Sequence, residues 1–167
     1  MLRKLELPAT IRPFRLKAIQ RLEKLHTALC LDPDVEEDII VDEENTKKWR
    51  KQLLDFHKED KNQILIAEIN GEIVGYILFY NPINERFGFK TKHCFGGIIE
   101  LYVMPEFRRK GVASQLIQRC VDYLKSKGAI DVRVDVLMHN KKAMNLYQKH
   151  GFKDRVAILR KSYKSTK

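Results

Sequence analysis

The 167-residue sequence is poor in cysteine, and this scarcity limits the kinds of protein it can be. Its three cysteines, Cys30, Cys94 and Cys120, lie far apart, and their odd number leaves at least one unpaired within a chain. No closely spaced set of cysteine and histidine predicts a zinc site, so we expect no bound metal. This cysteine usage favours a reducing compartment, and we expect a cytoplasmic protein.

Long apolar runs are also missing from the sequence. Met1 is followed by Leu2, Arg3 and Lys4 with no apolar run behind them, so neither a signal peptide nor a membrane span is predicted. There is no internal repeat, low-complexity segment or linker rich in serine, proline or glycine. We therefore expect one domain over residues 1–167, whose apolar fraction of 44% can supply a core.

Acidic residues are fewer than basic ones. The sequence has 32 Lys and Arg against 22 Asp and Glu, a formal charge of +10. This balance favours an anionic partner such as nucleic acid, a membrane surface or a phosphorylated cofactor. The charge is polarised, since an acidic block lies within residues 32–44 and residues 153–167 are mainly basic. Solvated faces that promote solubility explain both segments equally well.

Hydrophobic periodicity predicts a mixed α/β domain with an antiparallel front half and one right-handed parallel crossover. Asn70-Gly71 between two apolar runs predicts a tight hairpin, and residues 81–93 are expected to form a loop. The predicted helices are 14–30, 43–58, 111–127 and 140–150, and the predicted strands are 64–69, 73–79, 95–103, 131–137 and 156–163.

The turn before the predicted helix 111–127 is basic and ends in glycine. Arg108, Arg109 and Lys110 stand directly before Gly111. The first amides of a helix have no intrahelical acceptor and carry a fractional positive charge. Gly111 lets a ligand approach the backbone, so the pattern predicts an anion cradle suited to phosphate or pyrophosphate. The P-loop motif GxxxxGK[ST] and the dinucleotide motif GxGxxG are both absent.

Read together, two motifs resemble the GNAT superfamily of N-acetyltransferases. Arg108-x-x-Gly111-x-Ala113 resembles its [QR]-x-x-G-x-[GA] signature, with Ala113 in place of the commoner glycine. The segment from Asn140 to Phe152 resembles its second motif, N-x-x-A-x-x-[LF]-Y-x-x-x-G-F. The resemblance implies a GNAT-like fold, a mixed and mostly antiparallel sheet with one splayed parallel strand pair, flanked by helices.

The resemblance also implies a reaction, in which acetyl-coenzyme A is the co-substrate. An acetyl group would move to a primary amine of a small molecule, protein or peptide by direct attack in a ternary complex. Residues 95–152 would bind the coenzyme and the helix pair within residues 10–60 would form the acceptor site. The implied cofactor-binding residues are Leu101, Val103, Arg108, Arg109, Lys110, Gly111, Val112, Ala113, Ser114 and Asn140, for the last of which helix capping is itself a complete explanation.

Three residues carry catalytic expectations. Glu100 is the candidate general base, and by alternation it shares a strand face with Tyr102 unless a bulge intervenes; pairing with a cation is its structural alternative. The resemblance places the Val103 N–H on the thioester carbonyl and makes Tyr147 the acid that protonates the departing thiolate. Core packing explains the side chains of both residues as well. His139 is a weaker alternative base.

The acidic block favours a cationic acceptor, such as a polyamine, a lysine side chain, a basic N-terminus or an aminoglycoside. Neither a membrane nor nucleic acid is expected as a partner, and the oligomeric state stays open, a homodimer included. Cys120 is expected in the core, and Cys94 gives no reason to prefer an acyl-cysteine route. The alternative function is a non-catalytic acyl-coenzyme A-binding or nucleic-acid-binding module on the same fold.

Overall fold

The computed structural model describes residues 8–35, 39–58, 62–86 and 88–161. Within these ranges one five-stranded sheet carries helices on both faces. No helix in this part of the chain is long and apolar enough to cross a membrane. The strands are β1 (Thr10–Pro13), β2 (Asn62–Ile69), β3 (Glu72–Arg86), β4 (Phe89–Val103) and β5 (Asp131–Val134), and the helices are α1 (Ile19–Cys30), α2 (Glu43–Lys58), α3 (Val112–Ser126) and α4 (Lys141–Lys149).

The strands lie side by side in the order of the sequence. The first four pair antiparallel, whereas β4 and β5 pair parallel. A parallel pair needs a long crossover, which α3 provides. The hairpin predicted between β2 and β3 is confirmed, since Asn70 and Gly71 have φ values of 51° and 81°, the left-handed values that a type I′ turn requires. The predicted mixed fold with a single parallel pair is confirmed.

Each face of the sheet has its own hydrophobic core. On one face α3 contributes Leu116 and Leu124, and α4 contributes Tyr147. On the other face α1 and α2 contribute Leu22 and Leu53. The central strands are therefore covered on both sides, which explains their nearly continuous apolar sequences.

The loop predicted over residues 81–93 is wrong. β3 continues to Arg86 and β4 already begins at Phe89, so the two strands form one long hairpin. Pro82 and the polar residues around it suggested a loop. Proline is tolerated at sheet edges, and register shifts in this part of the pairing accommodate the irregular sequence.

The C-terminal strand prediction also fails where it can be compared. Residues 156–161 form no strand, and Ser162 and Tyr163 lie outside the described residues. Val156, Ile158 and Leu159 are 70%, 83% and 93% exposed, so this apolar run does not form a buried strand. The strand predicted at 131–137 ends at residue 134, and β1 was not predicted at all.

Gly75 is the position in β3 where the sheet tolerates no side chain. A Cβ atom built there would lie 2.7 Å from the backbone oxygen of Tyr102 in β4. We expect Gly75→Ala to lower the free energy of unfolding by about 1–3 kcal/mol, because a backbone atom cannot move aside as a side chain does. Urea unfolding measures the change. Glu85→Ala, an exposed position of the same strand, is the control, and a Gly75→Ala variant as stable as this control would contradict the prediction.

Candidate active site

A bulge in β4 decides which face of the sheet Glu100 occupies. Two successive residues of β3 pair with Ile98 and Glu100, so Ile99 is an extra residue. Ile98 packs into the core under α3, and without the bulge Glu100 would follow it, because strand residues two apart share a face. The extra residue turns Glu100 toward α1 and α2, the side on which Tyr102 is buried. The predicted common face of Glu100 and Tyr102 is confirmed.

The parallel strands part immediately before this bulge. Pairing between β4 and β5 ends at Ile98 and Val134, whereas β4 stays paired with β3 up to Val103. The Met104 amide donates to β3 at 2.9 Å. Because successive amides of a strand point to opposite edges, the N–H groups of Val103 and Leu101 point to the edge that β5 has left. The side chains of both residues pack in the core, as their structural explanation predicted.

A turn with two left-handed residues joins β4 to α3. Arg109 and Gly111 have φ values of 62° and 85°, and α3 starts at Val112. No side chain caps this helix start. The first amides of α3, those of Val112, Ala113 and Ser114, therefore form a helix end with a fractional positive charge.

The three cations of the turn have different environments. The Arg108 Nε atom donates to the Val103 carbonyl at 2.8 Å, and its Nη2 atom lies 2.7 Å from the Asp32 Oδ2 atom. Arg109 and Lys110 are exposed beside the helix start. The side chain of Arg108 thus fixes the turn, and the other two cations contribute positive charge at the surface.

Two residues at the start of the acidic block form ion pairs with cations of the basic turn and of α4. Burial raises the pKa of Asp32, but the hydrogen bonds from the Asp34 amide and the Arg108 guanidinium have a larger, opposite effect. The pKa of Asp32 therefore lies below its usual range. Asp34 Oδ2 accepts from the Lys142 ammonium at 2.6 Å. These two ion pairs connect the end of α1 with the basic turn and with α4.

The remaining described acids of the block have partners within α2. The Asp42 Oδ1 atom accepts from the Asn45 amide at 2.7 Å and so caps the start of the helix. Glu43 and Glu44 pair with lysines one turn along. Three members of the block, Glu36, Glu37 and Asp38, lie outside the described residues.

Glu100 lies in a polar cluster enclosed by the helix pair. Its Oε2 atom accepts from the Tyr76 hydroxyl at 2.7 Å and lies 3.2 Å from His26 Nδ1, and its Oε1 atom accepts from Trp49 Nε1 at 3.4 Å. Burial raises the pKa of the carboxyl, but the hydrogen bonds and charge of His26 and the bonds from Tyr76 and Trp49 outweigh it, leaving the pKa below its usual value. Glu100 is therefore an ionised carboxylate near neutral pH.

Sequence reasoning missed His26, Trp49 and Tyr76 as neighbours of Glu100. His26 and Cys30 are one helical turn apart in α1, a spacing that the sequence does show. Nothing in the local sequence connects His26 with Glu100, which lies 74 positions away. Only the packing of the helix pair on the sheet brings these residues together.

Two further predicted residues belong to α4 and its cap. Tyr147 is buried against Phe152, with ring centres 5.3 Å apart, and burial raises the pKa of its hydroxyl. Asn140 caps α4 by accepting from the Ala143 amide at 2.9 Å. Neither observation tests the predicted catalytic role of Tyr147 or the predicted coenzyme contact of Asn140.

The two cysteines and the alternative base lie in different parts of the structure. Cys120 is fully buried in the core, as predicted, and burial raises its pKa to about 12. The carbonyl of Cys94 accepts from Ile130 at 3.0 Å, which places it at the paired end of β4 and β5 rather than at the split. His139 is exposed beyond β5 and stays an alternative base.

This geometry can be compared with known proteins. The model of the family described as the acetyltransferase (GNAT) family matches residues 22–152. The chain belongs to the GNAT acetyltransferase family. An aminoglycoside N-acetyltransferase, AAC(6')-Iy in complex with CoA, matches this GNAT chain with a TM-score of 0.73 and 19% identity, over 92% of this chain and 95% of that one. At this identity the likeness shows the fold alone, and it confirms the GNAT-like sheet.

Two curated relatives are similar in sequence to this GNAT chain. An uncharacterized N-acetyltransferase of Methanocaldococcus jannaschii is 29% identical over 114 residues, 67% of this chain and 49% of the relative. An N-alpha-acetyltransferase of Sulfurisphaera tokodaii is 34% identical over 113 residues, 64% of this chain and 65% of the relative. The alignments thus span about half to two thirds of the relatives' lengths.

The charge of Glu100 should contribute to stability in a pH-dependent way. Its folded pKa lies below the unfolded value, so its contribution is present above the unfolded pKa of about 4.3 and is lost as pH falls through the folded pKa. We expect Glu100→Gln to lower the free energy of unfolding by about 1–3 kcal/mol at pH 7, because an amide cannot accept all three donors. The difference should shrink at pH 3. Urea unfolding at both pH values measures it, with exposed Glu85→Gln as control, and an equal loss at both pH values would contradict it.

Proposed function

We propose that the chain is an N-acetyltransferase that moves the acetyl group of acetyl-coenzyme A to a primary amine of a small molecule or a protein, by direct attack in a ternary complex. The observation that carries the proposal is the split between β4 and β5, which leads directly to the unpaired amides at the start of α3. A nucleic-acid-binding module would need exposed cations, but it would not need two strands of its sheet to part. The names of both curated relatives support an acetyltransferase.

The residues fit the coenzyme at both ends of the split. Its diphosphate would accept hydrogen bonds from the first amides of α3, where Gly111 presents no Cβ and Arg109 and Lys110 add positive charge. Its pantetheine arm would lie along β4 and accept from the Leu101 amide in place of the missing partner strand. AAC(6')-Iy, which has this fold, is crystallised in complex with CoA, and this supports coenzyme A as the ligand.

When bound, acetyl-coenzyme A supplies an acetyl group activated as a thioester. The Val103 N–H donates to the carbonyl oxygen and stabilises the negative charge that develops there. The ionised Glu100 places a negative charge on the acceptor side, where it stabilises the positive charge that develops when the amine loses its proton. Tyr147, whose hydroxyl stays protonated because burial raises its pKa, donates its proton to the departing sulfur.

The charges of the acidic block and the names of the similar proteins bear on which class of amine the enzyme acetylates. Every described acid of the block already has a partner within the chain, so attraction of a cationic amine falls to Glu36, Glu37 and Asp38, outside the described residues. The names of the relatives and of the similar structure point to a protein N-terminus and to an aminoglycoside, respectively. We therefore propose a cationic amine and leave both kinds of molecule in the test.

A thermal melt followed by an acceptor screen tests the function. We expect acetyl-coenzyme A to raise the melting temperature, because a ligand that binds only the folded state stabilises it. We then expect coenzyme A release with at least one amine from a panel of N-terminal peptides, lysine peptides, polyamines and aminoglycosides. Stabilisation without turnover on any amine would favour the non-catalytic alternative, and tight DNA binding without stabilisation would contradict both coenzyme claims.

The two glycines that flank α3 provide a matched test of the proposed diphosphate site. Gly111 precedes the helix and Gly128 follows it, with φ values of 85° and 89°. Alanine at either position should cost about 1 kcal/mol of stability, because L-residues disfavour these angles. Only Gly111→Ala should also weaken acetyl-coenzyme A binding, by at least about tenfold, since its methyl group approaches the phosphates. Calorimetric titration measures both affinities, and equal affinities in the two variants would place the phosphates elsewhere.

A further inference from the structure

The imidazole of His26 is held in a fixed orientation by its surroundings. Its Nδ1 atom faces the Glu100 carboxylate at 3.2 Å, and its Nε2 atom lies 3.4 Å from the Cys30 sulfur. Its ring stacks on Trp49 with a centre-to-centre distance of 3.9 Å and an angle of 9°. The side chains of His26 and Glu100 are only 16% and 17% exposed. The ring therefore has one edge on a carboxylate, one face on an indole and one edge directed away from the sheet.

That outward edge borders a cavity of about 80 Å³. The cavity is bordered by α1, by the segment that precedes α2 and by the first turn of α2, the region predicted to bind the acceptor. Its lining includes His26 and Cys30 of α1 and Asn45 and Thr46 of α2. The imidazole thus lies between Glu100 and a space on the acceptor side.

We propose that His26 accepts the proton of the attacking amine and that Glu100 is the positioning residue that orients its ring. The proposal rests on the acetyltransferase function proposed above. When Nδ1–H donates to Glu100, Nε2 points away from the carboxylate and accepts from the Cys30 thiol at 3.4 Å, at the border of the cavity. An amine nitrogen that enters from the cavity would replace this weak thiol donor at the Nε2 lone pair.

The proton and electron balance of this step is closed. The amine nitrogen attacks in its neutral form, having lost its ammonium proton to solvent, forms a bond to the acetyl carbon and loses one further proton to His26 Nε2. The bond between the acetyl carbon and the coenzyme sulfur breaks, and the sulfur keeps its electron pair and receives a proton from Tyr147. Release of the imidazolium proton to solvent and reprotonation of the tyrosinate restore both side chains.

Glu100 is poorly suited to take the proton itself. Its two oxygens already receive hydrogen bonds from three side chains, and its pKa lies below the usual value. An imidazole has an unperturbed pKa of about 6.5, which is much closer to neutral pH. The carboxylate is suited instead to stabilising the imidazolium that forms.

Groups from every element packed against His26 face its ring. They are Glu100 of β4, the Tyr76 hydroxyl of β3 at 3.5 Å and the Cys30 thiol of its own helix. Burial raises the pKa of both Tyr76 and Cys30, so neither is charged near neutral pH. Trp49 of α2 has no charge. Glu100 is thus the charged partner of the ring among these described contacts.

Kinetics on His26→Asn test the proposal, with the best amine of the acceptor panel as substrate. We expect kcat/KM for the amine to fall at least about 100-fold, the usual size of a general-base contribution, while the KM for acetyl-coenzyme A changes less than about twofold. His57→Asn, an exposed histidine of α2, is the matched control and should behave as the wild type. A His26→Asn enzyme within about threefold of wild type would overturn the proposal.

The pH profile separates a proton acceptor from a structural residue. The wild type should lose activity as pH falls, in a limb that His26→Asn lacks, because a protonated imidazole cannot accept the proton of the amine. Glu100→Gln should change the position of this limb, because the ring loses the carboxylate that it faces at 3.2 Å. Added imidazole should restore activity to His26→Gly but not to a variant damaged in folding. An unchanged limb in His26→Asn, or no rescue of a folded His26→Gly, would overturn the proposal.

A nitrogen-15 NMR titration of the whole protein keeps this test independent of turnover. At pH 8 we expect the proton of His26 on Nδ1, the nitrogen that faces Glu100. A proton on Nε2 would overturn the pairing of His26 with Glu100. If the wild type acetylates no amine, the proposed function fails, and the tautomer still decides the pairing.

Discussion

The extra residue in β4 is the constraint on which the rest of the site depends. A bulge bends a strand and increases its twist, and β5 pairs with β4 only up to the residue before Ile99. The same irregularity therefore has two consequences. It leaves the amides of Leu101 and Val103 at an edge without a partner strand, and it turns Glu100 from the α3 side of the sheet to the side of α1 and α2. A regular strand would give neither.

Arg108 connects the end of β4 with the loop that follows α1. Its guanidinium contacts the Val103 carbonyl and the Asp32 carboxylate at once. The strand that would polarise the thioester, the turn that would hold the diphosphate and the loop after α1 are consequently one connected unit. Asp34 adds a second link, to Lys142 of α4. An acidic segment that the sequence presents as a surface for cationic substrates is thus partly a structural connection.

What the sequence predicts well is determined by local chemistry. The Asn70-Gly71 hairpin, the limits of α2 and the Asn140 cap follow from residues within a few positions of each other. The bulge at Ile99 could not be predicted, because it is a property of how β3 and β4 align. His26 was missed for a related reason, since its role depends on a glutamate brought close only by tertiary packing. The apolar residues near the C-terminus misled because an apolar run indicates a strand only where it can pack against a buried face.

The largely buried charge of Glu100 also explains how α1 and α2 are fixed on the sheet. An ionised carboxylate is costly to bury unless each oxygen receives hydrogen bonds. The donors here come from three elements, His26 from α1, Trp49 from α2 and Tyr76 from β3, so the charge is satisfied only when both helices are docked. The same donors lower the basicity of the carboxylate. A site that fixes its helices through a buried anion therefore needs a second group to accept a proton, and the imidazole against that anion has the required position.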